Sequence, residues 1–389
     1  MNIRTEVKLI KDALIATRRD IHQHPELGFQ ETRTAALVAS RLKTAGLDVQ
    51  EQVGRTGVVG RLIGAKPGPT VALRADMDAL PMQETGDLPY KSVHEDVMHA
   101  CGHDGHTAML ISTAEILAAR RDQIRGEVRF IFQPAEEGEG GARYMIDDGA
   151  LDGVDEIYGL HLWNYQSFGT VGVASGPVLA SADIFRIVIK GQGGHGAAPQ
   201  GTVDTIVVAS QLINALQTIV SRNTNPLDST VVTVGRIEGG SNFNIIAAET
   251  VLSGTTRAYT PENRRMVKER MQQIIAGVAA ANGAEIDLEY DDGYPPTINN
   301  ETTVEHARQA ALKIAGEGVG APFMTMGGED FSYYAQQVPG CFIFVGSEPR
   351  DAVTGSVPHH CPYFNIEEDA LLVGVSVFVQ LIEDRLIKT

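Results

Sequence analysis

Long apolar runs are missing from this 389-residue sequence. None approaches the roughly 20 residues that a helix needs to cross a bilayer, which excludes a membrane-spanning helical protein and argues against a membrane partner. The first residues, Met-Asn-Ile-Arg-Thr-Glu, are charged and lack the apolar core of a secretory signal, so we expect a cytoplasmic protein. A chain of this length is more than one ordinary core requires, and we expect two domains.

Positive charge is also scarce, because 32 Lys and Arg residues face 49 Asp and Glu residues, giving a net charge of −17. Such a chain repels phosphate backbones, which excludes nucleic acid as a partner. Cysteine is rarer still, with only Cys101, Cys341 and Cys361 in the sequence. An odd number of cysteines in a long chain gives no disulfide framework, so at least one thiol is available for other chemistry.

Helices and strands alternate in the first part of the chain. Apolar residues recur at helical spacing over residues 5–23 and from Glu31 to Ala45. An apolar-periodic stretch from Thr107 to Ala119 separates short β-type runs, which are Val71 to Leu73, Val128 to Phe132 and Ile157 to Leu160. This alternation predicts an α/β fold, with a sheet covered by helices.

The middle of the chain has the element order βαββαβ, which is typical of a ferredoxin-like domain. Its strands are predicted at residues 184–190, 230–237, 250–259 and 285–290, and its helices at residues 203–222 and 261–282. Thr260 is a suitable cap for the second helix and Gly283 a suitable end. The α/β pattern then resumes, with a last helix beginning at a capping box of Asn365 and Glu368. We therefore predict a domain of residues 181–296 inserted into a domain of residues 1–180 plus 297–389.

Metal-ligand side chains gather at the ends of predicted strands, where open α/β sheets bind ligands. The segments are MHACGHDGH at 98–106, QPAEEG at 133–138 and GLHLW at 159–163, and a fourth candidate, HHCPYF at 359–364, lies much further along the chain. Cys101 and His103 can converge on one ion, although a buried thiol beside a surface imidazole is the commoner meaning of this pair. His161 has a similar alternative, a satisfied histidine beside Trp163.

The adjacent glutamates Glu136 and Glu137 follow a buried strand. Neighbouring side chains on extended backbone point to opposite faces, so one carboxylate can bind metal while the other reaches the substrate or its attacking water. A solvated acidic turn is the alternative, and the nearby Glu139 favours it.

Together with RADMDALPM at 74–82, GGHGAAP at 193–199 and GGEDFS at 327–332, these motifs resemble the aminoacylase and carboxypeptidase family of dinuclear metallohydrolases. The branch that they resemble most is that of the hippurate and auxin-conjugate hydrolases, and the resemblance covers essentially the whole chain. It implies a metallopeptidase-like catalytic domain, a mixed sheet covered by helices, interrupted by a ferredoxin-like lid that dimerises.

The resemblance implies two divalent metal ions per subunit, for which zinc, manganese, cobalt and nickel all suit the ligands. The implied ligands are Cys101, His103, Glu137, His161 and His360, with His359 as a rival for the last position. Glu136 would be the general base, and Asp78 a carboxylate that orients a ligand.

In the lid, the resemblance implies that His195 is catalytic and presents its imidazole to the substrate carbonyl across a dimer interface. Asn244 would hold the same carbonyl, and Arg257 the substrate carboxylate through its bidentate fork. Gly328 would let the backbone approach that carboxylate. Ala247 stands where relatives commonly have proline, a departure that bears on Asn244.

These expectations predict a metal-dependent amidohydrolase of N-acyl-L-amino acids, such as hippurate or N-acetyl amino acids. The partner is a small molecule, and the assembly is a homodimer or a higher homo-oligomer. A metallocarboxypeptidase acting on small peptides is one alternative. The other is an inactive, dimeric metal-binding module, which Glu136 argues against because such a module needs no base.

Overall fold

The computed structural model describes residues 1–352 and 355–387. These residues form two compact units. The large unit contains Met1–Val178, Ile298–Phe323 and the chain from Asp330 onward, and the inserted unit contains Leu179–Thr297 and Met324–Glu329. The predicted boundaries had placed residues 324–329 in the catalytic domain, whereas the structure groups this short segment with the inserted unit.

The helices and strands are numbered along the whole chain. The α-helices are α1 Thr5–Leu9, α2 Lys11–Gln23, α3 Thr32–Thr44, α4 His103–Ala118, α5 Gly141–Asp147, α6 Thr205–Thr218, α7 Pro261–Asn282, α8 Glu301–Ala315, α9 Phe331–Gln337 and α10 Asp369–Ile382. The strands are β1 Asp48–Val53, β2 Gly57–Ile63, β3 Lys66–Asp76, β4 Arg125–Gln133, β5 Glu156–Ser167, β6 Val171–Gly172, β7 Gly176–Leu179, β8 Ala182–Lys190, β9 Gly194–His195, β10 Thr230–Gly239, β11 Ile245–Ile246, β12 Glu249–Ala258, β13 Glu285–Tyr294, β14 Thr297–Asn299, β15 Val319–Gly320 and β16 Gly340–Glu348.

The large unit is built on an eight-stranded mixed sheet in the order β1-β2-β4-β3-β5-β16-β6-β15. Strands β4, β3, β5 and β16 are mutually parallel, so their carboxyl ends meet at one edge. Strand β16 is buried along its whole length, as expected of a parallel strand covered on both faces. This edge of the sheet receives the loops that carry the predicted ligands.

Helices α4 and α10 pack in the interior of the large unit. Residues 103–114 of α4 and 370–382 of α10 are buried without interruption, so both helices are apolar on nearly all sides. The predicted capping box at the start of α10 is absent, because the Glu368 side chain makes no capping bond. Glu368 instead accepts hydrogen bonds from Arg18 and Arg19 of α2, which neutralise its charge.

The inserted unit has a four-stranded antiparallel sheet in the order β10-β12-β8-β13. Its core joins the sheet to α6 and α7 through residues that include Phe185, Leu212 and Met271. Thr260 caps α7 by accepting from the Asn263 amide at 3.2 Å, and Gly283 ends it with φ +65°. The predicted ferredoxin-like βαββαβ fold is therefore confirmed. Within the described part of the chain, no helix is long and apolar enough to cross a bilayer.

Candidate metal centre

A glycine turn at the start of α4 brings two predicted ligands to the carboxyl edge of the sheet. Gly102 has φ +98°, a left-handed conformation that glycine adopts without strain, and it lies between Cys101 and His103. The Cys101 Sγ lies 3.5 Å from His161 Nε2 of β5. Ligand atoms of Cys101, His103 and His161 all lie within 4.8 Å of one another, which is close enough for one ion.

Two further groups of ligand atoms overlap with the first. Cys101, Glu137 and His360 form one group, and His103, Glu136 and Glu137 form the other, each with its atoms within 4.8 Å. The His360 Nε2 lies 3.2 Å from Glu137 Oε1. Because Cys101, His103 and Glu137 each belong to two groups, the arrangement suits two adjacent ions that share ligands. The structure thus brings all five predicted ligands together.

The hydrogen bonds of the site leave lone pairs free for metal. His103 Nδ1 donates to the Asp78 carbonyl at 2.9 Å, and His161 Nδ1 donates to the Leu162 carbonyl at 2.6 Å. These bonds fix the tautomers that present Nε2 to the centre. His103 Nε2 and Glu137 Oε1 are buried and make no hydrogen bond with any described residue. Buried polar atoms are rarely left in this state, so a divalent cation fits the residues present.

The charges of the site also favour a bound cation. Burial alone would lower the pKa of His103, but the carboxylates of Asp76, Asp78 and Glu137 raise it to about 10. Burial, together with Glu137 and Glu136, raises the pKa of the Cys101 thiol well above its usual range. Without metal the site therefore holds extra protons on its ligands, and metal binding would release them.

Asp78 contacts the predicted ligand His103 and also both members of the glutamate pair. Its carboxylate accepts the Glu136 amide at 3.0 Å and the Glu137 amide at 2.9 Å, and its backbone carbonyl orients His103. The side chain is buried, so these bonds are shielded from water. Asp78 thereby fixes the backbone of the glutamate pair relative to His103.

The two C-terminal histidines take different positions. His359 is partly buried, and its Nε2 accepts the Asn164 amide at 3.1 Å, which occupies that lone pair. The side chain of His360 is 51% exposed, faces Glu137 and sits on backbone of φ +60°. The geometry therefore favours His360 over His359 as a ligand.

Buried residues that sequence reasoning did not assign surround the centre. His106 Nδ1 bonds to Asp76 Oδ1 at 2.6 Å and its Nε2 accepts the Leu162 amide, so both ring nitrogens are occupied and His106 is not a ligand. Arg74 bridges Asp76 and Asp330. The spacing of His103 and His106 on one helical face was a signal for the first of these, whereas nothing local links Arg74 to Asp330.

The residues predicted to bind substrate lie in the inserted unit. His195 is exposed on β9, which pairs with β11, and the Asn244 carbonyl accepts the Gly196 amide at 2.9 Å. Arg257 is on β12, where its guanidinium bonds to Thr255 Oγ1 at 2.7 Å. Gly328 is in the short segment that joins this unit, where an added Cβ would lie 2.7 Å from the Ala182 Cβ. The structure brings His195 and Asn244 together, and Arg257 lies on a different sheet from His195.

The fold and the centre define a two-domain metallohydrolase of the α/β class. A profile of Peptidase family M20/M25/M40 matches residues 72–384, and the chain belongs to this family. The chain is 42% identical over 363 residues to N-acetyl-L-cysteine deacetylase of Bacillus subtilis, covering 93% of this chain and 86% of the relative. It is 41% identical over 375 residues to IAA-amino acid hydrolase ILR1-like 4 of Arabidopsis thaliana, covering 95% and 85% of the two chains.

A solved structure gives the same result for the fold. The YxeP protein of Bacillus subtilis, described as a dinuclear metal-binding peptidase of family M20, matches with a TM-score of 0.85 and 37% identity. The match covers 96% of this chain and 98% of that protein. The predicted family, fold, metal-dependent hydrolase activity and two-metal cofactor are thereby confirmed.

Proposed function

We propose that this enzyme hydrolyses the amide bond of N-acyl-L-amino acids, with Glu136 as general base. The proposal rests on the different neighbours of the two adjacent glutamates. Glu137 shares one group with Cys101 and His360 and a second with His103, whereas Glu136 shares a group with only one of these ligands, His103, and is buried. The names of the two curated relatives, a deacetylase of N-acetylcysteine and a hydrolase of indole-acetyl conjugates, support the substrate class.

In this proposal Cys101, His103, Glu137, His161 and His360 hold the ions. Bound divalent ions would lower the pKa of the attacking water and polarise the acyl carbonyl. Glu136 takes the proton of that water and returns it to the leaving amine. Asp78 keeps the Glu136 backbone in place during both transfers through its 3.0 Å bond to the amide. A cytoplasmic location, as predicted from the sequence, would keep the Cys101 thiol reduced.

Arg257 is the proposed contact for the free carboxylate of the substrate. Its guanidinium makes hydrogen bonds only to an uncharged hydroxyl and a carbonyl, and among the described residues no carboxylate pairs with it. Burial lowers the pKa of Arg257, which shows that burying its charge is unfavourable, and a substrate carboxylate beside it would offset that cost. We assign His195 and Asn244 to the substrate carbonyl and Gly328 to backbone contact with the carboxylate.

The test separates the two glutamates by metal content and turnover. Glu136→Gln should retain both ions and lose on the order of 10²-fold to 10⁴-fold in kcat, the usual contribution of general acid-base catalysis. Glu137→Gln should lose metal, because a neutral amide is a poorer ligand. The substrate panel contains N-acetyl, benzoyl and indole-acetyl amino acids together with dipeptides. Metal loss in Glu136→Gln would contradict the assignment, and a clear preference for dipeptides would favour the carboxypeptidase alternative.

We also propose a homodimer formed through the inserted unit. Strand β10 is an edge of the four-stranded sheet, and the exposed Ile206 of α6 would lie 3.3 Å from a Cβ at Gly240, just past β10. The opposite edge, β13, places exposed acidic side chains outward, which disfavours pairing there. Exposed apolar side chains beside an open strand edge are typical of an interface.

Sedimentation velocity tests the dimer. Ile206→Asp should shift the protein toward the monomer, because it places a charge in the proposed interface. Leu9→Asp is the matched control, since Leu9 is 82% exposed and lies in the large unit. A wild-type monomer with full activity at nanomolar concentration would refute both the dimer and the role of His195 across it.

A further inference from the structure

We propose that Glu31 is a positioning residue, which holds the turn before Glu136 and Glu137 in the conformation that the metal centre needs. The inference rests on the proposed function, because it concerns the same glutamate pair. Glu31 lies 104 residues before the turn, on the N-terminal side of α3.

The turn contains a strained residue. Ala135 has φ +53°, a left-handed conformation that a side chain with a Cβ rarely adopts. It connects the end of β4 to Glu136, so its conformation decides which way the two following side chains point. A relaxed Ala135 with negative φ would rotate the peptide ahead of Glu136 and redirect both carboxylates. The strain therefore has to be balanced by contacts from elsewhere.

Glu31 supplies a direct contact of this kind. Its carboxylate is fully buried, and Oε1 accepts the Ala135 amide at 2.9 Å while Oε2 accepts the Thr56 hydroxyl at 2.5 Å. Glu31 precedes α3 but makes no capping bond to it, and its carboxylate bonds instead to the turn and to Thr56. Burial, with a further effect of Asp78, raises the pKa of Glu31 to about 7. A carboxyl group kept in so unfavourable a place indicates a role beyond filling space.

The same segment also packs against Ala135. A Cβ built on Gly28 would lie 3.1 Å from the Ala135 Cβ, which is closer than most Cβ contacts, so a larger residue at position 28 would press on the turn. Asp78 continues the pattern by accepting the amides of Glu136 and Glu137. Two buried carboxylates thus accept three successive amides, and the turn is held from both sides.

The main test is Glu31→Ala, measured by Co²⁺ titration and by steady-state kinetics at saturating Co²⁺. We expect the dissociation constant for Co²⁺ to rise, and kcat to fall, each by on the order of 10-fold to 100-fold, as for other residues that orient metal ligands. KM should change little. Glu31→Gln should restore most of both values, because its amide oxygen still accepts the Ala135 amide. The titration needs no turnover, so it tests the inference even if the proposed function fails.

Ala135→Gly provides a second test, because it should rescue Glu31→Ala only if Glu31 acts by holding Ala135 in its strained conformation. Glycine adopts φ +53° without strain, so in this background the loss caused by Glu31→Ala should shrink by on the order of 5-fold or more. The matched control is Glu156→Ala. Glu156 is also buried, pairs with Arg385 at the amino end of β5, and should leave kcat and Co²⁺ affinity unchanged.

Three results would overturn the inference. One is a Glu31→Ala protein with wild-type Co²⁺ affinity and kcat. Another is a Glu31→Gln protein as impaired as Glu31→Ala, and the last is the absence of any rescue by Ala135→Gly. If Glu31→Ala alone does not fold, the double variant with Ala135→Gly tests the inference. It must fold and bind Co²⁺ if the role of Glu31 is to hold Ala135.

Discussion

Arg74→Met should strongly destabilise the large unit. The Arg74 side chain is buried in β3 and donates to Asp76 Oδ2 at 2.6 Å, Asp330 Oδ1 at 2.9 Å and Gln133 Oε1 at 2.8 Å. Methionine fills much of the same volume but leaves two fully buried carboxylates without their shared cation. Removing one partner of a buried ion pair costs about 3–5 kcal/mol.

The loss in the free energy of unfolding should not be twice this value, although Arg74 pairs with two carboxylates. Asp76 retains His106 at 2.6 Å, and Asp330 retains the Ala142 amide at 2.9 Å. Burial already raises the pKa of Asp330 to about 6, so this group can take up a proton when its cation is removed. We therefore expect about 4 kcal/mol at pH 8, and a smaller loss at pH 5.5, where a protonated Asp330 no longer needs a counter-charge.

Trp163 makes the measurement specific. It is the single tryptophan of the chain and is buried in the large unit, so its fluorescence reports the unfolding of that unit. Urea unfolding of the metal-free protein gives the free energy by linear extrapolation. The control is Arg61→Met, which removes an arginine whose side chain is 42% exposed and should cost at most about 1 kcal/mol. The reasoning is refuted if Arg74→Met costs no more than this control, or if its deficit grows at pH 5.5.

Further predictions concern the site and its histidines. His360→Asn should lower metal content, whereas His359→Asn should leave most of it, which metal analysis of both proteins decides. Arg257→Ala should reduce kcat/KM for substrates with a free carboxylate by on the order of 10-fold to 100-fold more than for their amides, and equal losses would remove Arg257 from that role. Burial lowers the pKa of His99 to about 3. Between about pH 6.5, the pKa of an unfolded histidine, and this value, His99 is protonated in the unfolded chain but neutral in the folded protein. The free energy of unfolding of the metal-free protein should fall as pH drops through this window, and His99→Phe should reduce the slope by up to about 1.4 kcal/mol per pH unit, whereas the same change at the exposed His94 should not.

The sequence by itself determined the elements whose ends are set locally. Helix α7 spans Pro261–Asn282 as predicted, because the Thr260 side chain caps its start and Gly283, in a left-handed conformation, ends it. The ligand motifs were also readable, since ligand-type side chains cluster at the ends of predicted strands and the carboxyl ends of parallel strands meet at one edge.

Tertiary structure decided what depends on contacts between distant segments. Strand β5 was expected to end at Leu160, but it continues to Ser167 because β16 pairs with it up to that residue. The choice of His360 over its neighbour depends on a hydrogen bond from Asn164, 195 residues before His359. The hold of Glu31 on Ala135 is of the same kind. Periodicity and motif spacing describe a residue's near neighbours along the chain, whereas these bonds exist only after the sheet has brought remote segments together.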